Sequence, residues 1–325
     1  MRDLKIAELD MSDRLKVLFI ENNLGDSRLV QEMLAESRLL SFAFQRADSL
    51  TTGLFLLTKG DIDVILLDLS LPESLGLENL SRVRKQAPEV AVIIITSLDD
   101  EFGIKAIQAG AQDYLIKGHI SSQLLIRTIR YAIERKRFEK RLEYLATHDG
   151  LTGLPNRMLF RDRLDHALER AKREYRSNNN TGHTSVMLLD VDNFKEINDT
   201  LGHAQGDNLL CLISDRLLNC LRKSDTAARM GGDEFTIISE EIDNPKDCAA
   251  IATKILHALS EPFALANKTV HITASLGISL FPLDGDDAET LLRYADQAMY
   301  LAKKERNGFR FHKLPIEELD QQRVG

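Results

Sequence analysis

The sequence predicts two α/β domains joined by one long helix, the first built on a parallel doubly wound sheet and the second of α+β type. Three features carry that expectation. Short apolar runs in the first 130 residues each stop at a polar residue and alternate with helical stretches. Residues 119–147 contain no Gly and no Pro. A later apolar run ends in Asp190-Val191-Asp192 and precedes a Gly-Gly turn between two further apolar segments. The length of 325 residues suits two domains that each bury their own core.

In the first domain, Val17-Leu18-Phe19-Ile20 stops at Glu21-Asn22-Asn23, and an amphipathic stretch follows with Leu29, Val30, Met33 and Leu34. Val64–Leu67 stops at Asp68, Val92–Ile95 at Thr96-Ser97, and Tyr114–Ile116 at Lys117-Gly118. Strands apolar on both faces belong to parallel sheets covered by helices on both sides. Chemistry in such sheets collects at the carboxyl ends of the strands. There, Asp68 can accept a phosphoryl group, and Glu21 and Asn22 offer oxygen ligands to a hard divalent cation. Thr96 and Lys117 can hydrogen-bond and neutralise the added phosphate.

These strand ends, with Asp68-Leu69-Ser70-Leu71-Pro72, make the first 130 residues resemble the response-regulator receiver domain. The resemblance implies a flavodoxin-like sheet of order 2-1-3-4-5, phosphorylated on Asp68 by a cognate histidine kinase. It implies a metal site of Glu21, Asn22, Asp68 and the Ser70 carbonyl, and a switch formed by Thr96, Tyr114 and Lys117. Receivers usually carry two adjacent acids after the first strand. The second position here is Asn22, which offers a carbonyl oxygen without charge, so Mg²⁺ is expected to bind more weakly. The alternative is a structural Asp68–Lys117 ion pair in a receiver no longer phosphorylated.

Residues 119–147 read as one helix. Leu124, Tyr131, Phe138 and Leu145 recur every seven residues, joined by Leu142 and weakened by Thr128 and Arg135. This is a partial coiled-coil seam, expected to pair with the same helix of a second chain and make a homodimer. The Arg135-Lys136-Arg137 run is interleaved with Glu134, Glu139 and Glu143, which reads as a solvated helix face rather than a nucleic-acid patch.

His148–Arg157 is rich in turn residues and opens the second domain. A helix with Leu159, Phe160, Leu164 and Leu168 follows, then a polar loop at Arg176–Thr184 and a strand from Ser185 to Leu189. A helix starting at Phe194-Lys195 breaks at Gly202, and another buries Leu209, Leu210, Leu212, Ile213 and Leu217. Thr226–Met230 and Phe235–Ile238 flank Gly231-Gly232-Asp233-Glu234, a hairpin signal. Glycines at its tip let backbone approach a ligand closely. Asp190 and Asp233 can hold Mg²⁺, which takes substrate phosphates as its other ligands. The helix start at Phe194-Lys195 offers N–H groups to phosphate.

Gly231-Gly232-Asp233-Glu234-Phe235 makes the chain resemble the GGDEF family of diguanylate cyclases, from about Asp149 to Phe311. So do Asp149-x-Leu151-Thr152, Asp190-x-Asp192-x-Phe194-Lys195-x-x-Asn198, Gly202-His203 with Gly206-Asp207, and Ala295-Asp296-x-Ala298-Met299-Tyr300. The resemblance implies an α+β fold like the nucleotide cyclase palm. It implies Mg²⁺ (or Mn²⁺) on Asp190, the Val191 carbonyl and Asp233, and guanine read by Asn198 and Asp207 beside His203. Phosphates are expected at Phe194, Lys195, Lys303 and Arg306, although the usual Gly before Arg306-Asn307 is absent. Glu234 is left as metal ligand, proton acceptor or structural residue. The implied reaction condenses two GTP into cyclic di-GMP and two pyrophosphates across a symmetric dimer. Arg222 and Asp225 have the spacing of an RxxD product-inhibition site. The alternative function is a catalytically silent sensor of cyclic di-GMP.

The expected organisation is an extension (1–13), a receiver (14–133), a coiled-coil linker (134–147), a GGDEF domain (148–313) and a tail (314–325), with no phosphodiesterase domain after Phe311. With 42 Lys+Arg against 50 Asp+Glu, the net charge of −8 argues against direct DNA binding. Cys211, Cys220 and Cys248 form no CxxC pair and fall in helical stretches as core residues, which suits a reducing cytosol. His119, His166, His257 and His271 are expected to pack on helices or strands. No apolar run reaches the roughly 18 residues of a membrane span, and no signal core is seen.

Overall fold

The structure is a computed structural model describing residues 14–313 apart from 38–39, 73–75, 98–99, 178–182, 243 and 266–267. The expected extension and tail, and most of the expected polar loop at 176–184, lie outside the described residues. The chain divides into two compact units between Glu143 and Tyr144.

The first unit alternates strands and helices in the order β1 (Leu15–Ile20), α1 (Leu24–Ala35), β2 (Phe42–Ala47), α2 (Leu50–Thr58) and β3 (Val64–Asp68). It continues with α3 (Leu77–Gln86), β4 (Ala91–Thr96), α4 (Asp100–Gln108), β5 (Asp113–Ile116) and α5 (Ser122–Thr147). The five strands pair in the order β2-β1-β3-β4-β5, all parallel. Period-two alternation builds two cores from the same strands. Val17, Phe19, Leu66 and Ile93 face Val30 of α1 and Ile129 of α5. Leu18, Ile20, Ile65 and Ile94 face Leu50 of α2, Leu80 of α3 and Ala106 of α4. The edge strand β2, only half-buried, lacks the continuous apolar run that marks the central strands.

The first half of α5 buries Leu125, Thr128, Ile129, Ala132 and Ile133. Leu124 packs against the same core. Leu124 and Thr128 therefore belong to the receiver core rather than to the expected seam. Tyr131, Phe138, Leu142 and Leu145 are 52%, 69%, 67% and 40% exposed and form the remaining stripe. Arg135 and Lys136 pair with Glu139 at 3.4 and 3.7 Å, as a solvated face does.

The second unit comprises α6 (Arg157–Ser177), β6 (His183–Val191), α7 (Phe194–Leu201), α8 (His203–Cys220), β7 (Thr226–Gly231) and β8 (Glu234–Ile242). Then come α9 (Pro245–Ser260), β9 (Phe263–Leu265), β10 (Lys268–Val270), β11 (Ala274–Phe281), α10 (Ala288–Glu305) and β12 (Gly308–Phe311). Its main sheet has the order β12-β11-β6-β8-β7. One face packs against α8 and α9 through Leu210, Ile213, Ala252 and Ile255. The other packs against α6 and α10 through Phe160, Leu164, Leu291 and Ala295.

His119, His166, His257 and His271 are exposed, against the packing roles expected of them. All three cysteines are helical, but only Cys248 is fully buried, and burial pushes its thiol up to about 12. No helix among the described residues is long and apolar enough to cross a membrane.

Among the described glycines of the second unit, the closest approach to another element's backbone joins β11 to α10. A Cβ at Gly277 would lie 2.1 Å from the Ala295 carbonyl and 2.2 Å from the Met299 nitrogen, both backbone atoms that cannot rotate away. We expect Gly277→Ala to destabilise the second unit by about 3 kcal/mol or more, read as an earlier urea-unfolding midpoint.

Candidate functional site

Parallel register brings the ends of β1, β3, β4 and β5 to one edge of the first sheet. Lys117, just past β5, donates from Nζ to Glu21 Oε2 at 2.6 Å, Asp68 Oδ2 at 2.8 Å and Asp26 Oδ2 at 2.8 Å. Its backbone N–H bonds the carbonyl of Thr96, whose side chain is buried. Glu21 and Asp68 are buried as well. Burial pushes the Glu21 pKa up, opposed by the hydrogen bonds from Lys117 and from the Asn23 N–H. Burial also works against the Lys117 charge, yet its bonds to Asp26, Asp68 and Glu21 hold its pKa well above the usual lysine value.

Ser70 is exposed and its N–H donates to Asp68 Oδ1 at 2.9 Å. Asn22 is exposed too, and its backbone carbonyl accepts from Arg46 Nη2 at 2.7 Å. Tyr114 is half-buried with its ring against α4, where a Cβ at Gly103 would lie 2.3 Å from it. Asp26 was absent from the sequence-based site. Its signal is faint: an acid in the first turn of α1, beyond the cap Asn23.

In the second unit, β7 and β8 turn over at Gly232-Asp233. Gly231 and Gly232 have φ of +139° and +55°, values that favour glycine. Register sets Glu234 opposite Asp190 across β8 and β6. Asp190 is buried and receives Lys303 Nζ at 2.7 Å. Burial raises the Asp190 pKa; the Lys303 bond lowers it, and the charges of Asp233 and Glu234 raise it again. Lys303 is shifted up: burial opposes its charge, but Asp190, Asp233 and Glu234 outweigh that. These four side chains thus form one electrostatic cluster at the hairpin tip.

Val191 is buried. Asp192, also buried, accepts from Ser275 Oγ at 2.8 Å, Thr273 Oγ1 at 2.6 Å and the Asn307 N–H at 3.2 Å. It ties the end of β6 to the corner after α10, where Arg306 and Asn307 have φ of +56° and +47°. Arg306 is exposed. The Phe194 ring is buried in the core, and its backbone N–H, the group expected to meet phosphate, lies at the start of α7. Lys195 is exposed. Asn198 is half-buried against α8, where a Cβ at Gly206 would lie 1.9 Å from its Oδ1. His203 and Asp207, four residues apart on α8, are exposed on one helix face.

Arg222 and Asp225 sit in the turn between α8 and β7, not on a helix end. The Asp225 carboxylate accepts the Arg222 N–H at 2.9 Å. Among the described residues no ion pair joins the two side chains. A cleft of about 480 Å³ adjoins this turn, lined by Arg163, Arg170 and Lys223 and also by Asp162, Glu240 and Glu241, with Arg170 paired to Glu240. The six residues of β7 separate the turn from the hairpin tip, about 20 Å at roughly 3.3 Å per residue.

Sequence reasoning also missed Arg229. It donates to Asp149 Oδ1 at 2.9 Å and to the Gly232 carbonyl at 2.7 and 3.0 Å. Burial would raise the Asp149 pKa, but Thr152 and Arg229 bring it below the usual carboxylate range. The stretch just after α5 is thereby linked through one side chain to the hairpin tip.

Among the described residues, no three His, Cys, Asp or Glu are spaced as a ready metal cage. At both sites a lysine ammonium is bonded to the carboxylates instead. The donors are all oxygen, the chemistry a hard divalent ion takes, and they fit Mg²⁺ or Mn²⁺ at either site.

Fold and sites together define a receiver-type parallel α/β unit with an acidic pocket, and an α+β unit with an acidic hairpin tip. The chain belongs to the GGDEF family: the family model for the diguanylate cyclase GGDEF domain matches residues 146–308, and that for the response regulator receiver domain matches residues 17–130. In Pseudomonas aeruginosa it is similar to the bifunctional diguanylate cyclase/cyclic di-GMP phosphodiesterase MucR, 41% identical over 61% of this chain and 28% of that protein. There it is also similar to the diguanylate cyclase TpbB, 40% identical over 56% of this chain and 40% of that protein. The response regulator PleD of Caulobacter vibrioides is 30% identical over 89% of this chain and 63% of that protein. The chain thus spans less than half the length of the first two relatives.

A folded chain that raises the Asp190 pKa holds its proton to a higher pH than the unfolded chain does. The Asp190 charge therefore costs stability above that raised value, and the cost fades as pH falls through it. We expect Asp190→Asn to raise the thermal midpoint of metal-free protein at pH 7, with the gain shrinking as pH falls through the carboxylate range.

Proposed function

We propose that the protein is a diguanylate cyclase, a nucleotidyltransferase that condenses two GTP into cyclic di-GMP with release of two pyrophosphates. The observation that carries this reading is the convergence of Asp190, Asp233, Glu234 and Lys303 at the Gly-Gly hairpin tip. In each half-reaction the 3′-hydroxyl of one GTP loses its proton to water and bonds the α-phosphorus of the other, while the bond from that phosphorus to the oxygen bridging to the β-phosphate breaks and pyrophosphate leaves with its electron pair. Asp190, the Val191 carbonyl and Asp233 would hold Mg²⁺ or Mn²⁺, which polarises the α-phosphate and offsets the charge on the leaving pyrophosphate. Lys303 gives a further positive charge, and the α7 N–H groups with Lys195 and Arg306 orient the triphosphate. Asn198 and Asp207 accept from guanine N1–H and N2–H₂, donors that adenine lacks, with His203 beside them. One unit supplies half of the reacting pair, so the working form is a symmetric homodimer. The exposed Tyr131–Leu145 stripe of α5 supports pairing through the linker.

The receiver, residues 14–133, supplies control. Asp68 takes a phosphoryl group from a histidine kinase, and Thr96, Tyr114 and Lys117 respond to it. The linker helix (134–147) carries the change to the cyclase domain (148–313). Arg222 and Asp225, beside a cleft edged by Arg163, His166 and Arg170, bind the product and restrain the enzyme. Both substrate and product suit the cytoplasm.

Asp233→Ala is expected to abolish conversion of GTP to cyclic di-GMP while the protein stays folded; unchanged turnover refutes the assignment. Turnover of the unaltered enzyme should rise with a beryllofluoride phosphoryl mimic, and equal rates with and without it would remove receiver control. Arg222→Ala should raise the plateau of product accumulation, measured by chromatography of the reaction over time; an unaltered inhibition curve argues against the product site.

A further inference from the structure

The receiver pocket holds one carboxylate more than its strand-end motif contains. Asn23 accepts from the N–H groups of Gly25 and Asp26 and so fixes the first turn of α1. From that turn Asp26 Oδ2 reaches Lys117 Nζ at 2.8 Å, the same nitrogen that bonds Glu21 at 2.6 Å and Asp68 at 2.8 Å. Oxygens from three separate elements thus surround one point that already holds a cation, the ammonium.

Asn22 stands where a second acid would be the direct ligand, and it is poorly placed to replace one. It is exposed, its side-chain amide has no charge, and Arg46 bonds its backbone carbonyl (2.7 Å) and that of Glu21 (3.1 Å). A guanidinium on that side opposes a second cation there. Three carboxylates meet at the one Lys117 ammonium, and even with Arg46 beside them the pocket keeps an excess of negative charge. The Asp26 carboxylate is 36% exposed, which suits an ion that keeps several waters.

We propose that Asp26 supplies the acidic oxygen that Asn22 lacks, completing the divalent-cation site of the receiver with Glu21 and Asp68. Lys117 is then released from the carboxylates to the phosphoryl oxygens on Asp68. This rests on the reading of Asp68 as phospho-acceptor, and the test separates the two.

The experiment is ¹⁹F NMR of the beryllofluoride adduct on the full chain during Mg²⁺ titration, a signal that reports the receiver and not the hairpin site. Asp26→Asn should raise the Mg²⁺ midpoint for adduct formation about tenfold. Adding Asn22→Asp to that variant should bring the midpoint back towards the unaltered value, which loss of a merely structural contact would not allow. An unchanged midpoint in Asp26→Asn, or no recovery in the double variant, overturns the role of Asp26. No adduct in the unaltered chain at any Mg²⁺ concentration overturns the phospho-acceptor reading and the inference with it.

Discussion

Glu21 and Asp68 are almost sealed from water, and Lys117 is what lets carboxylates sit there. Burial pushes the Glu21 pKa up, and the hydrogen bond from the Lys117 ammonium at 2.6 Å opposes that push. The second unit repeats the arrangement with Lys303 on Asp190. In both units the lysine comes from a late element, just after β5 or in the last turn of α10, and the carboxylate ends an early strand. Each acidic site is therefore complete only when its whole unit has folded. The excess of negative charge that remains favours cations and phosphate-bound cations over bare anions.

Arg229 plays a different part. Its guanidinium bonds the carboxylate of Asp149 and the carbonyl of Gly232 together. Asp149 lies two residues past α5, and Gly232 belongs to the turn that carries Asp233. Two N–H groups converging on one carbonyl and a third on a carboxylate fix the direction of the planar group as well as its distance. A rotation of the end of α5 would be felt at the turn through a single planar group.

Much of this was legible because strong signals coincide with function. β1, β3, β4 and β5 are legible as apolar runs, and the residues that stop β1, β3 and β5, Glu21, Asp68 and Lys117, meet in the pocket. The Gly-Gly hairpin announced itself through backbone chemistry that few other residues tolerate. β2 stayed hidden because an edge strand needs no continuous apolar run. Asp26 and Arg229 stayed hidden because their partners lie 91 and 80 residues away. Leu124 and Thr128 fit the heptad repeat, yet a helix can bury only one face at a time, and the receiver core claimed them. Phe194 stands inside a functional motif but serves it by anchoring α7. The site came through as residue types; the pairing between them needed three dimensions.

β7 carries the Arg222–Asp225 turn at one end and the Gly231-Gly232 tip at the other, with β8 zipped along its length. Strand pairing has a period of two, so inserting or deleting one residue here would exchange inner for outer side chains along the whole ladder. Both ends would shift at once. Loops elsewhere in the domain can change length without moving β7, but the spacing between the Gly-Gly tip and the Arg222–Asp225 turn is a fixed gauge set by the ladder.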